Sequence, residues 1–307
     1  MGPTSLPTGA AAGTTSAGRP VSRAYLIAGA GGMLGTALQR VIAERGERFV
    51  APPERDFDIT DKAQVTRVVY LFAATLGAGE RGVLINAAAY TNVERAEEDA
   101  ETAYRVNETG AQILAEAARR AGLAFVHVST DFVFDGTKSG AYVETDAPNP
   151  LSVYGASKLA GERAALEANP AALIVRTAWV FGENGVNFPV KILSLARERD
   201  TLSVVTDELG SPTYSADLAR GLLELVGAGA RGLFHLANAG SCSRFEMAAA
   251  VLQAAGLSRT LVPVTADTSP SKAARPANSV LDCSRASALG VSMPKWQDAL
   301  ERFVCAR

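Results

Sequence analysis

A tyrosine and a lysine stand four residues apart in VYGASKLAGE, residues 153–162. On a helix, Tyr154 and Lys158 project from one side and reach the same ligand. A free phenol has a pKa of about 10 and transfers protons poorly at neutral pH. A fixed ammonium beside it, with the positive end of a helix, favours the phenolate and brings that value down. The chemistry expected of such a pair is general acid catalysis toward an alkoxide, or general base catalysis in reverse. A third group is needed to orient a carbonyl. Thr130 closes an apolar run in HVSTDFVFDG (127–136), and such strand ends face the ligand crevice of an open α/β sheet. Taken alone, Y-x-x-x-K also arises by chance, when a snorkelling lysine and an exposed tyrosine share a helix face.

A second pattern lies far upstream. The apolar run AYLIAG leads into GAGGMLG, which places Gly29, Gly32 and Gly35 three residues apart before a helical stretch. Glycine is needed where such a turn bends tightly and where the backbone meets a pyrophosphate; a third glycine lets helix and strand pack. The helix N-terminus then faces the phosphates. A tight turn without a ligand is the bland alternative. With a dinucleotide bound there, Lys158 also binds the nicotinamide ribose hydroxyls. The dinucleotide's identity is less clear. An acid at the end of the second strand marks NAD and a nearby arginine marks NADP. FVAPPERD puts Pro52 and Pro53 at that position, followed by Glu54 and Arg55. Arg55 tips the reading to NADPH, with NADH left open.

Positioning these groups requires a particular scaffold. The runs AYLIAG, RFVAP, VLINAA, AFVHVS and ALIVRTA are apolar on both faces, as strands buried between two helical layers are. Helical periodicity is expected over 33–45, 61–75, 98–121 and 154–169, with Thr60 as N-cap of the second and Gly122 stopping the third. The alternation implies right-handed βαβ units and an α/β fold, a doubly wound parallel sheet of Rossmann-like type. After Ala178 the pattern loosens into helices, strands and Pro- and Gly-bearing loops. The expected division is a tail over 1–23, a dinucleotide-binding lobe over 24–178, and a smaller substrate lobe over 179–307 with some segments returning to the main sheet.

Several classes are excluded by composition. The 307 residues carry a net charge of −2 and no basic stripe, so nucleic acid is not an expected partner. No apolar span of 18 residues occurs, and residues 1–23 lack the apolar core of a signal peptide, so a cytoplasmic protein without a membrane segment is expected. Cys242, Cys283 and Cys305 lie far apart and read as reduced thiols, while His127 and His235 sit in strand-like runs and read as sheet histidines. A metal site is not supported.

Several motifs occur in a familiar order: the glycine turn, NAAAYTNVE (86–94), VN (106–107), STDFVFDG (129–136), PLSVYGASKLAGE (150–162), RTAWVFG (176–182), DELGSPTYSADLA (207–219) and RPANSVLD (275–282). From Ala24 to the C-terminus the chain resembles the extended short-chain dehydrogenase/reductases, and within them the dTDP-4-dehydrorhamnose reductases. The resemblance implies that Thr130, Tyr154 and Lys158 form the catalytic set. It further implies that Gly32, Met33 and Leu34 cover the pyrophosphate, that Asp58 and Ile59 lie by the adenine, and that Ala87, Ala88 and Ala89 line the cofactor cleft. Thr130, Asp131 and Trp179 would touch the sugar of a nucleotide-sugar substrate; otherwise Trp179 is a core aromatic and Asp131 a turn cap. Related 4,6-dehydratases resemble T-D-E at this place, whereas Phe132 follows Thr130 and Asp131 here, which favours reduction over water elimination. Family members often carry Asn where this chain has Gly31. Some hold a divalent metal at a subunit contact, which this sequence does not address, and a homodimer is left open. Lys191, Arg244 and Arg275 are candidates for the nucleotide diphosphate by charge and position, Lys191 reading equally as a solvated cation. Two alternatives stand beside reduction of dTDP-4-dehydrorhamnose. One is a sibling 4-ketoreductase of secondary-metabolite deoxysugars. The other is a regulatory subunit of the methionine adenosyltransferase β-subunit type, which binds NADP without turnover.

Overall fold

The computed structural model describes residues 22–268 and 272–307. The tail expected over 1–23 falls outside them apart from Ser22 and Arg23, and Arg23 already opens the first strand. Five strands follow one another through the first half: β1 (Arg23–Ala28), β2 (Arg48–Val50), β3 (Arg81–Asn86), β4 (Ala124–Thr130) and β5 (Leu173–Thr177). Six helices lie between them: α1 (Met33–Glu44), α2 (Lys62–Ala74), α3 (Val93–Ala96), α4 (Ala100–Tyr104), α5 (Gly110–Arg120) and α6 (Val153–Ala168). The second half adds β6 (Val180–Phe181), α7 (Phe188–Glu198), β7 (Thr201–Val205), β8 (Leu209–Gly210), β9 (Thr213–Tyr214) and α8 (Ser215–Gly227). It ends with β10 (Gly232–His235), β11 (Cys242–Ser243), α9 (Arg244–Ala254), β12 (Thr260–Val264), α10 (Ser284–Ser287) and α11 (Trp296–Cys305).

The main sheet has the order β2-β1-β3-β4-β5-β10, with every neighbouring pair parallel. It is an α/β doubly wound sheet, as the alternation of runs implied. Its strands are buried on both faces because each face is covered. Leu38 and Ile42 of α1 and Leu218 and Leu222 of α8 pack on one side. Val65 and Val69 of α2, Leu114 of α5 and Ala165 of α6 pack on the other. Each of these leucine, isoleucine and valine side chains contributes about 1.5–3 kcal/mol by leaving water. A separate core of Phe181, Ile192, Leu202, Met247, Trp296 and Phe303 holds the later elements together.

The chain leaves β1 for β2 on one side and β3 on the other. The strand order reverses there, so a crevice opens beyond the carboxyl ends of β1 and β3. The glycine turn follows β1, and Ala87–Ala89 follow β3.

Two local expectations are corrected. The helix expected over 98–121 is split into α4 and α5 by a π-helical turn over Arg105–Thr109. Within it Asn107 is buried; its Oδ1 accepts from the Tyr90 amide at 2.8 Å, and its Nδ2 donates to the Tyr90 carbonyl at 3.2 Å and to Ser157 Oγ at 2.9 Å. One extra residue per turn re-aims this side chain, a device that recurs beside functional sites. The N-cap of α2 is Asp61, whose Oδ1 accepts from the amides of Ala63 and Gln64; Thr60 donates instead to Asp58.

Candidate active site

The turn after β1 has no room for side chains at Gly29 and Gly35. Gly29 has φ +77°, and a Cβ on it would fall 2.5 Å from the Ala88 amide nitrogen. A Cβ on Gly35 would fall 2.1 Å from the Gly29 carbonyl oxygen. The Gly32 amide donates to that same carbonyl at 3.1 Å. Gly32 is the N-cap of α1 and brings no side chain to its first amides, which leaves them open to an anion. Gln39 locks the turn from below, donating to the carbonyls of Ala30 at 2.8 Å and Gly35 at 3.1 Å. Met33 and Leu34 form the first turn of α1. Opposite, Asn86 Oδ1 accepts from the Ala88 amide at 3.1 Å and shapes the Ala87–Ala89 wall. This cradle fits a dinucleotide's phosphates.

Asp58 and Ile59 sit at the rim beyond β2. The Asp58 carboxylate is exposed and accepts from the Thr60 amide and hydroxyl, at 2.9 and 2.8 Å. The Ile59 side chain is buried in the core against Gly110. Arg55 has an 84% exposed side chain, with Asp56 at 3.7 Å.

Thr130, Tyr154 and Lys158 meet at the carboxyl end of β4. Helix α6 begins where Ser152 Oγ accepts from the Gly155 amide at 3.2 Å and the Glu97 carboxylate accepts from the Val153 amide at 2.8 Å. Gly155 lets that first turn press on the turn after β4, since a Cβ there would lie 2.2 Å from the Phe132 carbonyl oxygen. The Phe132 ring then meets Tyr154 edge to face, with centroids 5.5 Å apart. Lys158 is buried and its Nζ donates to the Val128 carbonyl of β4 at 2.7 Å.

The electrostatics correct the expectation of a phenol made more acidic by its neighbour. Burial pushes Tyr154 up to about 12, against a side-chain hydrogen bond with Thr130 that works downward and an Asp131 charge that adds to the rise. Lys158 is pushed down to about 8 by burial, with Glu162 opposing. Desolvation is therefore the largest effect on both groups. The phenol keeps its proton at neutral pH, and the lysine remains mostly an ammonium.

Next to this trio Asp131 is buried, and Thr130 Oγ1 donates to its Oδ1 at 3.0 Å. Burial raises its carboxyl to about 6, with Ser279, Thr130 and then Arg244 holding the rise in check. The Ser279 hydroxyl is itself buried and donates to the Leu209 carbonyl at 3.4 Å. Trp179, just beyond β5, has φ +46°, a left-handed conformation that costs a non-glycine residue about 1–2 kcal/mol. Its indole holds this pose between two partners. The Arg244 guanidinium stacks 3.4 Å from the ring centroid, and Gly210 leaves space where a Cβ would fall 2.2 Å from the indole. Arg244 is fixed in turn by Glu208 at 3.3 Å. Among the diphosphate candidates, Arg244 therefore lies at the trio; Arg275 pairs with Glu94 at 2.7 Å on the flank of α3, and Lys191 is exposed on α7.

Asn107, Glu97, Gly155, Gly210, Glu208 and Ser279 support the site without having been given a role from the sequence. All but Glu97 lie within the motifs that carry the family resemblance. Among the described residues no group of three His, Cys, Asp or Glu side chains is arranged to hold a metal ion. No helix among them is long and apolar enough to cross a membrane.

A glycine cradle at the switch point, with a hydroxyl, a phenol and an ammonium at the adjoining strand end, defines a Rossmann-type oxidoreductase of the short-chain class. The comparisons narrow this. A family profile described as the RmlD substrate binding domain matches residues 23–306. A dTDP-4-dehydrorhamnose reductase of Aggregatibacter actinomycetemcomitans is 42% identical over 292 residues, covering 91% of this chain and 97% of that one. A dTDP-4-keto-6-deoxy-D-glucose reductase of Streptomyces niveus is 40% identical over 207 residues, 67% of this chain and 69% of its own. The crystal structure of dTDP-4-dehydrorhamnose reductase from Bacillus anthracis in complex with NADP superposes with a TM-score of 0.87 at 36% identity, covering 93% of this chain and 99% of that one. The chain belongs to the dTDP-4-dehydrorhamnose reductase family.

Proposed function

We propose that this protein reduces the C4 keto group of a dTDP-linked 4-keto-6-deoxy sugar, dTDP-4-dehydrorhamnose, using NADPH. The observation that carries this reading is the meeting of Thr130, Tyr154 and Lys158 at the end of β4, beside the glycine cradle, in a chain of this family. The dinucleotide supplies the hydride. Tyr154, neutral because burial holds its pKa at about 12, supplies the proton to the sugar oxygen. Thr130 steadies that oxygen. Lys158 holds the ribose hydroxyls and stabilises the phenolate left behind. Asp131 and the Trp179–Arg244 stack form the sugar's wall, and Arg244 and Arg275 answer the diphosphate; Lys191 has no part in this reading because it stands exposed on α7. Gly32, Met33 and Leu34 cradle the pyrophosphate, Asp58 and Ile59 border the adenine, and Arg55 meets the 2′-phosphate that favours NADPH over NADH. The presence of Phe132 after Asp131 supports reduction over elimination. Both substrates and dinucleotide belong to the cytoplasm, which is where we place the enzyme.

The Streptomyces niveus relative gives specific support to a second reading, reduction of a sibling 4-keto sugar. A regulatory subunit without turnover fits poorly with an intact trio. One assay separates all three. The protein is incubated with NADPH and either dTDP-4-dehydrorhamnose or dTDP-4-keto-6-deoxy-glucose, and the nicotinamide band is followed at about 340 nm. The faster substrate assigns the sugar, and an unchanged band with both defeats the enzyme reading. Tyr154→Phe should lower kcat by about 10²–10⁴ while NADPH still quenches intrinsic fluorescence.

A further inference from the structure

We propose that Asp131 is the proton reservoir for Tyr154, acting through the Thr130 hydroxyl. The inference rests on the reduction proposed above and addresses what that reaction leaves unfinished. Each turnover takes a proton from Tyr154, and the phenol must be refilled before the next one.

The side chains form a continuous path. The Thr130 side chain acts on the Tyr154 phenol, and Thr130 Oγ1 donates to Asp131 Oδ1 at 3.0 Å. Asp131 is 2% exposed, and the hydroxyls of Thr130 and Ser279 are the side-chain groups that hydrogen-bond it. A buried carboxylate held by so few donors is costly in a purely structural role. The surroundings leave it close to balance between its two forms. Burial favours the acid; Ser279, Thr130 of β4 and Arg244 of α9 favour the carboxylate, and Arg244 divides its charge with Glu208. Tyr154 of α6 is the other titratable group facing it. The result is a carboxyl near 6, suited to both giving and regaining a proton at cellular pH.

The step balances without any redox change. After the phenolic proton has gone to the sugar O4, Tyr154 is a phenolate. The Asp131 Oδ1–H bond breaks and that proton passes to Thr130 Oγ1. The proton already on Oγ1 passes to the Tyr154 oxygen. Asp131 is left as a carboxylate and regains its proton from water once the product leaves.

The test uses Asp131→Asn, which keeps an acceptor for Thr130 but has no acid proton to give. At saturating substrates, first-turnover hydride transfer by rapid mixing is compared with steady-state kcat, with NADPH fluorescence titration as the check on folding. The relay requires that kcat fall further than the first-turnover rate, by about 10². It also requires that the parent's kcat decline as pH rises through about 6 and that the variant lose this decline. Ser279→Ala removes a group that holds the carboxyl down, so in that variant the decline should move to higher pH. Equal loss in the two rates with an unchanged pH profile overturns the relay and leaves Asp131 as a sugar contact. So does a Ser279→Ala profile that stays in place, whatever Asp131→Asn does. Retained turnover in Tyr154→Phe would instead defeat the underlying reductase reading.

Discussion

Glu162→Gln tests how the scaffold under the trio is held. Glu162 and Arg176 form a two-pronged pair, Nε to Oε1 at 2.8 Å and Nη2 to Oε2 at 2.7 Å, with side chains 5% and 3% exposed. The pair joins α6 to β5, one turn beyond Lys158. Glutamine keeps the shape and removes the charge, which leaves the guanidinium buried beside Phe134. An uncompensated buried charge of this kind costs about 3–5 kcal/mol. At about 2–4 °C per kcal/mol for a domain near this size, the melting temperature should drop by about 6–20 °C. Glu162 also opposes the burial that lowers the Lys158 pKa to about 8. Without it, Lys158 loses its proton at lower pH, and the alkaline fall of kcat/KM should move to lower pH in step. Thermal denaturation by circular dichroism and a pH–rate profile read the two effects. Glu162→Leu with Arg176→Met should recover most of the lost stability, because it removes both charges. A single variant that melts within about 3 °C of the parent, or a double variant no better than the single, would refute the reasoning.

Other expectations follow from the same geometry. Gly35→Ala drives a Cβ to within 2.1 Å of the Gly29 carbonyl and should abolish NADPH binding in a fluorescence titration. Gly31→Asn meets nothing within 4 Å of its Cβ and should leave that affinity close to the parent's. Gly210→Ala displaces the Trp179 indole, so KM for the nucleotide sugar should rise about tenfold or more, the equivalent of roughly 1.4 kcal/mol, with NADPH affinity unchanged. Asp131 favours its protonated form in the fold, because burial raises it from 3.8 to about 6. That stabilisation is complete below about pH 4 and lost as pH rises through about 6. Asp131→Asn should therefore gain on the parent by about 3 kcal/mol between those limits, at about 1.4 kcal/mol per pKa unit, as read from urea midpoints.

Much of the site was legible in short stretches. The i, i+4 spacing of Tyr154 and Lys158, the glycine triplet after β1 and the hydroxyl closing β4 are all consequences of helix and strand periodicity, which neighbours in sequence determine. The parallel sheet was legible for the same reason, since strands buried on both faces are apolar at every position. The split helix was not. Residues 98–121 read as continuously helical, and only the packing of Asn107 against Tyr90 and Ser157 explains the π turn.

The chain's order of residues thus determined which chemical groups are present and which elements carry them. Tertiary structure decided their state. Arg244 stacks on Trp179 and Ser279 approaches Asp131 across long stretches of intervening chain, contacts that local patterning does not encode. The same holds for the phenol. That a phenol and an ammonium share one helix face was readable from spacing, but the direction of the phenol's shift depends on how much water the surrounding elements exclude, and that exclusion exists only once they have packed.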